Sequence, residues 1–478
     1  MVGKLVVAAM VAVLCVSGTP GAAFAETGRP AWHDCDRPVE GIQCAELPVP
    51  ADWKRPRGAR TTIGLAKLPA RDPRHRAGSL VVNLGGPGPL IDNLPGVRER
   101  LAELTNWFDV IALDPRGMGD SAGITCPEAA PEWFAVWTSH DERTWNEFAR
   151  ANGEWAAGCE RVAGPLAGNL DAWQVAHDLE AVRVALGEGG LNYYGNSYGT
   201  VYGQTYADLF PTRVHRMYLD SVADHTTRSA FRATAPMAGV MGEEFRRFGQ
   251  WCVTDARCAV HPADGRDVWD RLLAEAARKP LPAPGAGPGA TVGPDQLRFA
   301  AFNTVLRESR WPAFAEALGR ARAGDATGLY VGTPPPSPDT MVSNVAWCAD
   351  FPFTQDHDGM RRLDHRLRAV EPRIGWLMGR FQYARCAGMR GQGTFPPRPV
   401  GAVGLPPVLL VNGLHDASTT AAAGRVVAGQ LPGSVWIGAD AGHGVYLDGN
   451  RCVRDVVHRY LRTGERPVPG TVCPRDGA

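Results

Sequence analysis

The stretch "LNYYGNSYGTVYGQTYADLF", residues 191–210, decides how the chain folds. An aromatic, apolar run ends at Tyr194, a turn carries Ser197 between Gly195 and Gly199, and a helical pattern follows at once and stops before Pro211. Strand, tight turn and helix in immediate succession lift a serine hydroxyl above the edge of a sheet, with the helix N-terminus facing it. The two glycines remove side chains that would collide where strand and helix approach. Gly203 and the β-branched Thr200, Val201 and Thr205 are indifferent helix formers, so packing must hold this helix.

The same G-x-S-x-G spacing recurs in "GDSAG", residues 119–123, and context separates the two. The strand before Ser121 ends at Asp114, Pro115 to Gly119 intervene, and Pro127 and Pro131 interrupt any helix after it. Ser197 is therefore the candidate nucleophile and Ser121 a loop residue.

A serine attacks at neutral pH only with a base in reach and a third group to orient that base. Asp416 closes the β-rich run "VLLVNGLHD", and His443 follows the next such run in "GADAGHG", which is the chain order nucleophile, acid, histidine. Taken singly, Asp416 could cap the helix "ASTTAAAGRVVAGQL" and His443 could be a solvated loop residue. His415 is a rival base, but it directly precedes the acid on the same loop and should point elsewhere. Together, Ser197, Asp416 and His443 form a candidate triad. The amides of Tyr198 and Gly86, in "VVNLGGPG" (81–88), are candidate oxyanion donors, with Gly85 as the neighbouring choice.

Outward from these motifs, short β-rich runs alternate with helical patterns. "SLVVNL" (79–84), "FDVIALD" (108–114), "VHRMYLD" (214–220), "PPVLLVNGLHD" (406–416) and "SVWIGADAGHG" (434–444) read as strands. "DAWQVAHDLEAVRVALGEGG" reads as an amphipathic helix with Asp171 as N-cap and Gly187 as its stop. The alternation predicts an α/β fold, with a mostly parallel central sheet and helices on both faces. Residues 221–395 read as helical pieces broken by "KPLPAPGAGPGATVGP" and "GTPPPSPDT", a mainly helical cap inserted between core segments 26–220 and 396–478.

The N-terminus, "MVGKLVVAAMVAVLCVSGTPGAAFAETGRP", has Lys4, an apolar run from Leu5 to Val16 and the small-x-small triplet Ala23-Phe24-Ala25. That is the pattern of a secretory signal, residues 1–25, and implies a secreted, extracellular protein. Leu14 before Cys15 argues against a lipid anchor, and no later apolar run reaches about 18 residues. Charge balances at 50 Lys+Arg against 50 Asp+Glu, which points to neither nucleic acid nor an anionic membrane as partner. A monomer is expected.

Removing the signal takes Cys15 and leaves an even set of cysteines, which in an exported chain implies disulfides. They fall in neighbouring pairs, so the expected bridges are 35–44, 126–159, 252–258, 348–386 and 452–473. There is no C-x-x-C and no H-E-x-x-H, so no metal site is expected and no cofactor is needed.

"NLGGPG", "FDVIALDPRGMGDS", "YYGNSYGTVYGQTYADLFP", "VLLVNGLHDAST" and the tail "AGHGVYLDGNRCVRDVVHRYLRTGERPVPGTVC" together resemble the secreted tripeptidyl aminopeptidase group of the α/β-hydrolase superfamily, relatives of prolyl aminopeptidase. The resemblance covers nearly all of the chain after the signal. It departs at the oxyanion loop, where the group's N-P-G-G-P-G-G-S has Leu84 for the proline and Pro89-Leu90 for Gly-Ser, and after the acid, where "DASTT" keeps Thr419 and loses both prolines. It implies a serine exopeptidase acting on peptides with a free N-terminus, and places Ser121 in a structural loop. Such an enzyme needs carboxylates in the cap for the substrate ammonium, and Asp350, Glu243 and Glu244 are the candidates. A secreted esterase or lipase-like hydrolase with the same triad is the alternative, and a catalytically silent binding protein is a third.

Overall fold

The computed structural model describes residues 28–35, 41–127, 131, 137, 141–332, 340–353 and 356–477. The expected signal segment and most of the "GTPPPSPDT" loop lie outside them. Strands β1 (His33–Asp34), β2 (Gln43–Pro50), β3 (Arg60–Leu68), β4 (Ser79–Asn83), β5 (Asp109–Leu113), β6 (Leu191–Asn196) and β7 (Val214–Asp220) precede a two-stranded ladder of β8 (Leu281–Pro282) and β9 (Thr291–Val292). Strands β10 (Leu409–Gly413), β11 (Val435–Ala439) and β12 (Val472–Cys473) complete the main sheet, in the order β1-β2-β3-β5-β4-β6-β7-β10-β11-β12. From β5 to β12 every pairing is parallel; β1, β2 and β3 form an antiparallel extension beside β5. β8 and β9 close the base of "KPLPAPGAGPGATVGP", which the sequence suggests is a plain surface loop.

Every residue of β6 is buried, and its alternating side chains divide between two cores. Tyr193 packs with α3 (Ala172–Ala185) and α4 (Gly199–Leu209) on one face. Tyr194 packs with α1 (Leu94–Leu101) and α13 (Arg451–Thr463) on the other. Helix α4 forms for the reason its composition demands. Each weak helix former costs a few tenths of a kcal/mol, whereas burying an apolar side chain such as Val201 stabilises by roughly 1.5–3 kcal/mol. Val201, Tyr202 and Tyr206 are all fully buried, so packing wins.

Between β7 and β10 the chain is mainly helical: α5 (Ala230–Thr254), α6 (Gly265–Arg278), α7 (Pro294–Thr304), α8 (Trp311–Arg322), α9 (Thr340–Asp350), α10 (His357–Arg368) and α11 (Leu377–Tyr383). Helix α2 (Glu142–Ala163) precedes α3, and α12 (Ala421–Ala428) lies between β10 and β11. All five expected cysteine pairs are disulfides. No helix among the described residues is long and apolar enough to cross a membrane.

Local signals hold at α3: the Asp171 carboxylate accepts from the Gln174 N–H, and Gly187 has φ +74°. At α12 the cap is Thr420, which accepts from the Ala423 N–H, so Asp416 is not that helix's cap. The loop after β5 is pinned from inside. The Ser121 hydroxyl donates to Asp114 O at 2.6 Å and accepts from Gly64 N–H at 2.8 Å, and it is completely buried. Arg116, 1% exposed, lies 2.6 and 2.8 Å from the two carboxylate oxygens of Asp178 and donates to Ala51 O at 2.7 Å.

Candidate active site

Ser197 stands at the turn from β6 to α4 with φ +54°, a left-handed conformation that a non-glycine residue holds at a cost of about 1–3 kcal/mol. Its neighbours enforce it. The Ser197 N–H donates to Asp220 O at 3.0 Å, and a Cβ on Gly85 would come within 2.7 Å of Ser197 Cβ, so the oxyanion loop lies directly against the elbow. Asn196 Nδ2 donates to Leu84 O at 3.1 Å and ties the two together.

The N–H groups of the two candidate glycines are engaged differently. The Gly85 N–H is taken by Asn83 Oδ1 at 3.1 Å. The N–H groups of Gly86 and Tyr198 have no acceptor among the described residues, which leaves both able to donate to an incoming oxygen. Asp114 holds the far end of this loop, accepting from the N–H groups of Leu90, Ile91 and Asp120 at 2.6, 2.9 and 2.9 Å.

His443 Nδ1 is 2.8 Å from Asp416 Oδ2. Asp416 in turn accepts from the Ser418 and Thr419 N–H groups at 2.8 and 3.0 Å and from the Thr419 hydroxyl, which also lies 3.2 Å from His443 Nδ1. Burial favours a neutral Asp416, but His443 and these hydrogen bonds outweigh it, and its pKa is lowered. Burial likewise disfavours the imidazolium, yet Asp416, and behind it Asp220 and Asp448, hold the His443 pKa above its ordinary value. The arrangement is that of a base whose Nδ1 is oriented by a carboxylate and whose Nε2 is left for proton transfer.

The His443 loop and the serine elbow share an anchor that sequence reasoning missed, the pair Asp220-Ser221 at the end of β7. Asp220 Oδ1 and Oδ2 accept from the N–H groups of Val445 and Tyr446 at 3.3 and 2.9 Å, and the Ser221 hydroxyl accepts from the Gly444 N–H at 2.8 Å. The one available signal was a carboxylate following the apolar run Met217-Tyr218-Leu219 at the end of a strand.

His443 and Asp416 line a cavity of about 690 Å³, with Glu244, Glu308, His415, Asp440, Asp448 and Arg475 among its other walls. A closed ring of charges borders it. Glu244 binds Arg247 (2.7 Å), Arg247 binds Glu308, and Glu308 binds Arg475 (2.6 Å). Arg475 reaches Asp440 (3.3 Å), and His415 closes the circuit, 2.8 Å from both Asp440 and Glu244. The rival base His415 thus links Glu244 on α5 with Asp440 after β11.

The three acids expected to receive a substrate ammonium are placed differently from that expectation. Asp350 has no exposure at all; its oxygens accept from the Tyr198 hydroxyl at 2.5 Å and the Ala172 N–H at 3.0 and 3.1 Å, and burial pushes its pKa well up. It is a structural carboxyl with nothing left to offer a ligand. Glu243 is on the outer surface, half exposed and paired with Arg246. Glu244 does reach the cavity, but Arg247 and His415 occupy both of its oxygens.

Comparison with known proteins agrees with this architecture. A family model described as "alpha/beta hydrolase fold" matches residues 79–256, and one described as "TAP-like protein" matches residues 377–473. The chain is 30% identical over 473 residues to a tripeptidyl aminopeptidase of Streptomyces lividans, covering 92% of this chain and 86% of that one. It is 28% identical over 470 residues to a serine protease of Mycobacterium tuberculosis, covering 91% and 87%. A carboxylesterase B of Mycobacterium tuberculosis is 27% identical over 495 residues, covering 95% and 92%. With its strand order, its serine elbow and these relatives, the chain belongs to the tripeptidyl aminopeptidase family of α/β-hydrolases and is a serine hydrolase of the peptidase kind.

Proposed function

We propose that the protein is a secreted exopeptidase that removes short peptides, tripeptides by analogy with the relatives' name, from the free N-termini of peptide substrates. Ser197 attacks the scissile carbonyl while His443 takes its proton and then delivers it to the leaving amine. Asp416 fixes the imidazole and stabilises the imidazolium, and the amides of Gly86 and Tyr198 hold the oxyanion. The acyl-enzyme is then cleaved by water with the same base. The observation that carries this reading is the contact of His443 Nδ1 with Asp416 Oδ2, on a loop that shares its anchor with the serine elbow.

An exopeptidase must recognise a substrate ammonium with a carboxylate. With Asp350 and Glu243 turned away and Glu244 paired, Asp448 is the better choice. It lines the cavity, and no side-chain hydrogen bond or ion pair engages its carboxylate among the described residues. Its partly buried site favours the neutral form, which a cationic ligand would reverse. The mainly helical segment 221–395 serves as the cap that encloses the peptide. The disulfides fit an exported protein, which is the basis for placing the enzyme outside the cell.

Chromogenic amides of one to three residues, with free and with acetylated N-termini, test the proposal. Preference for a free tripeptidyl amide, weakened in KM by Asp448→Asn only for the unacetylated substrates, supports it. Hydrolysis confined to simple esters would instead favour an esterase, the reading supported by similarity to the carboxylesterase.

A further inference from the structure

We propose that Asp220 is a positioning residue that couples nucleophile and base, gripping both from one point at the end of β7. The inference rests on Ser197 and His443 acting as the nucleophile and base. Asp220 lies outside the Ser197, His443, Asp416 set and acts on it from the end of β7.

The geometry works through three connections. The Asp220 carbonyl accepts the Ser197 N–H at 3.0 Å, which helps to hold the serine in its left-handed conformation. The carboxylate accepts the N–H groups of Val445 and Tyr446, fixing the chain just beyond His443. The adjacent Ser221, itself at φ +52°, donates its N–H to Val411 O at 2.8 Å in β10 and accepts the Gly444 N–H through its hydroxyl. A displacement of β7 therefore moves the elbow and the histidine loop together, so the spacing between the reacting groups is preserved.

A fully buried carboxylate is an expensive way to hold two amides, since a neutral acceptor would avoid the desolvation. Its charge supplies a reason for its presence. Asp220 and His443 are close enough to influence one another, and an ionised Asp220 favours the imidazolium that forms during the reaction. The other groups around the pair are Asp416 and Asp448 beside His443, and Tyr194, Tyr218, the Tyr446 N–H and the Ser221 hydroxyl around Asp220, with Arg454 acting on Tyr194 and Tyr446. Burial keeps the three tyrosines neutral. Burial also pushes the Asp220 carboxyl up to about 6, so it is charged at neutral pH and loses that charge in mild acid.

The test compares Asp220→Asn and Ser221→Ala with the unaltered protein and with Ser197→Ala, following the rate of fluorophosphonate labelling and amide kcat against pH, with thermal melts alongside. Asp220→Asn should keep KM within about twofold and lower kcat roughly 10- to 100-fold, as expected for a displaced base. It should also move the acidic limb to lower pH, because loss of the negative charge lowers the His443 pKa. Ser221→Ala removes the grip on Gly444 and one hydrogen bond to the Asp220 carboxylate, at 3.3 Å, but no charge, so it should slow labelling and move the limb much less than Asp220→Asn does; it remains informative if Asp220→Asn does not fold. An unmoved limb and unchanged kcat in a folded Asp220→Asn protein, or unchanged labelling in Ser221→Ala, overturns the proposal. Retained labelling in Ser197→Ala would overturn the assignment of the nucleophile instead.

Discussion

The Tyr198 hydroxyl donates to Asp350 Oδ2 at 2.5 Å, so the residue that follows Ser197 is fastened to α9, over a sequence separation of 152. The same carboxyl receives the Ala172 N–H at the start of α3. Asp350→Ala should leave these two donors buried and unpaired, costing about 1–3 kcal/mol for each, and should lower kcat as Tyr198 loosens. A thermal melt and substrate kinetics check this. Because Asp350 reaches no ligand, Asp350→Asn should show no selective loss with free-amine over acetylated substrates.

The two serine matches differ in their environments, and a covalent probe should separate them. Ser197→Ala is expected to abolish fluorophosphonate labelling. Ser121→Ala should destabilise by about 1–3 kcal/mol, since the Gly64 N–H loses its acceptor, yet still label at the normal stoichiometry. Asp416→Asn should lower kcat by roughly 10⁴-fold, because the imidazole loses its orienting charge, and should lower the melting temperature at neutral pH, because the ionised carboxylate stabilises the fold there.

The oxyanion loop tolerates no side chain at Gly85. That residue has φ +104°, and a Cβ there would meet Ser197 Cβ at 2.7 Å and Asn196 O at 2.9 Å. Gly85→Ala is expected to shift loop and elbow apart, lowering kcat by roughly 10²-fold, the scale of losing an oxyanion donor, with KM much less affected. Steady-state kinetics on a tripeptidyl amide measures it.

His415 makes the contact between α5 and the loop after β11 depend on pH. An imidazole donates to two carboxylates only when protonated. Its hydrogen bond to Glu244, set against partial burial, and its contact with Asp440 raise its pKa above the ordinary value. A histidine raised on folding contributes stability that is fully present below its unfolded pKa, about 6.5, and is lost as pH rises through the folded value. The gap in melting temperature between the unaltered protein and His415→Gln should therefore be widest below about pH 6.5 and narrow as pH rises toward alkaline values, where the neutral imidazole leaves one carboxylate without a donor. A gap that widens toward alkaline pH would contradict this linkage.

Much of this molecule was legible along the chain. The strand, turn and helix around Ser197 lie within twenty consecutive residues, quoted as 191–210, and their periodicity and glycines report a local geometry. The alternation of runs supported a mostly parallel sheet, and short loops between cysteines made the five bridges readable. Chain order also singled out Asp416 and His443, because each closes or follows a β-rich run. These features depend on neighbours in sequence, so a linear pattern carries them.

The acids could not be sorted in that way. Asp350, Glu244 and Asp220 each look like a carboxylate near an apolar stretch, and what distinguishes them is the company brought from far along the chain. Asp350 meets Tyr198 and Ala172, Glu244 meets His415, and Asp220 meets Val445 and Tyr446. Whether a carboxylate is buried, paired or open to a ligand is set by desolvation against the donors around it. Those donors assemble only when the sheet and the helical segment over it have packed, so tertiary structure decided which acids hold the fold and which remain open to the cavity.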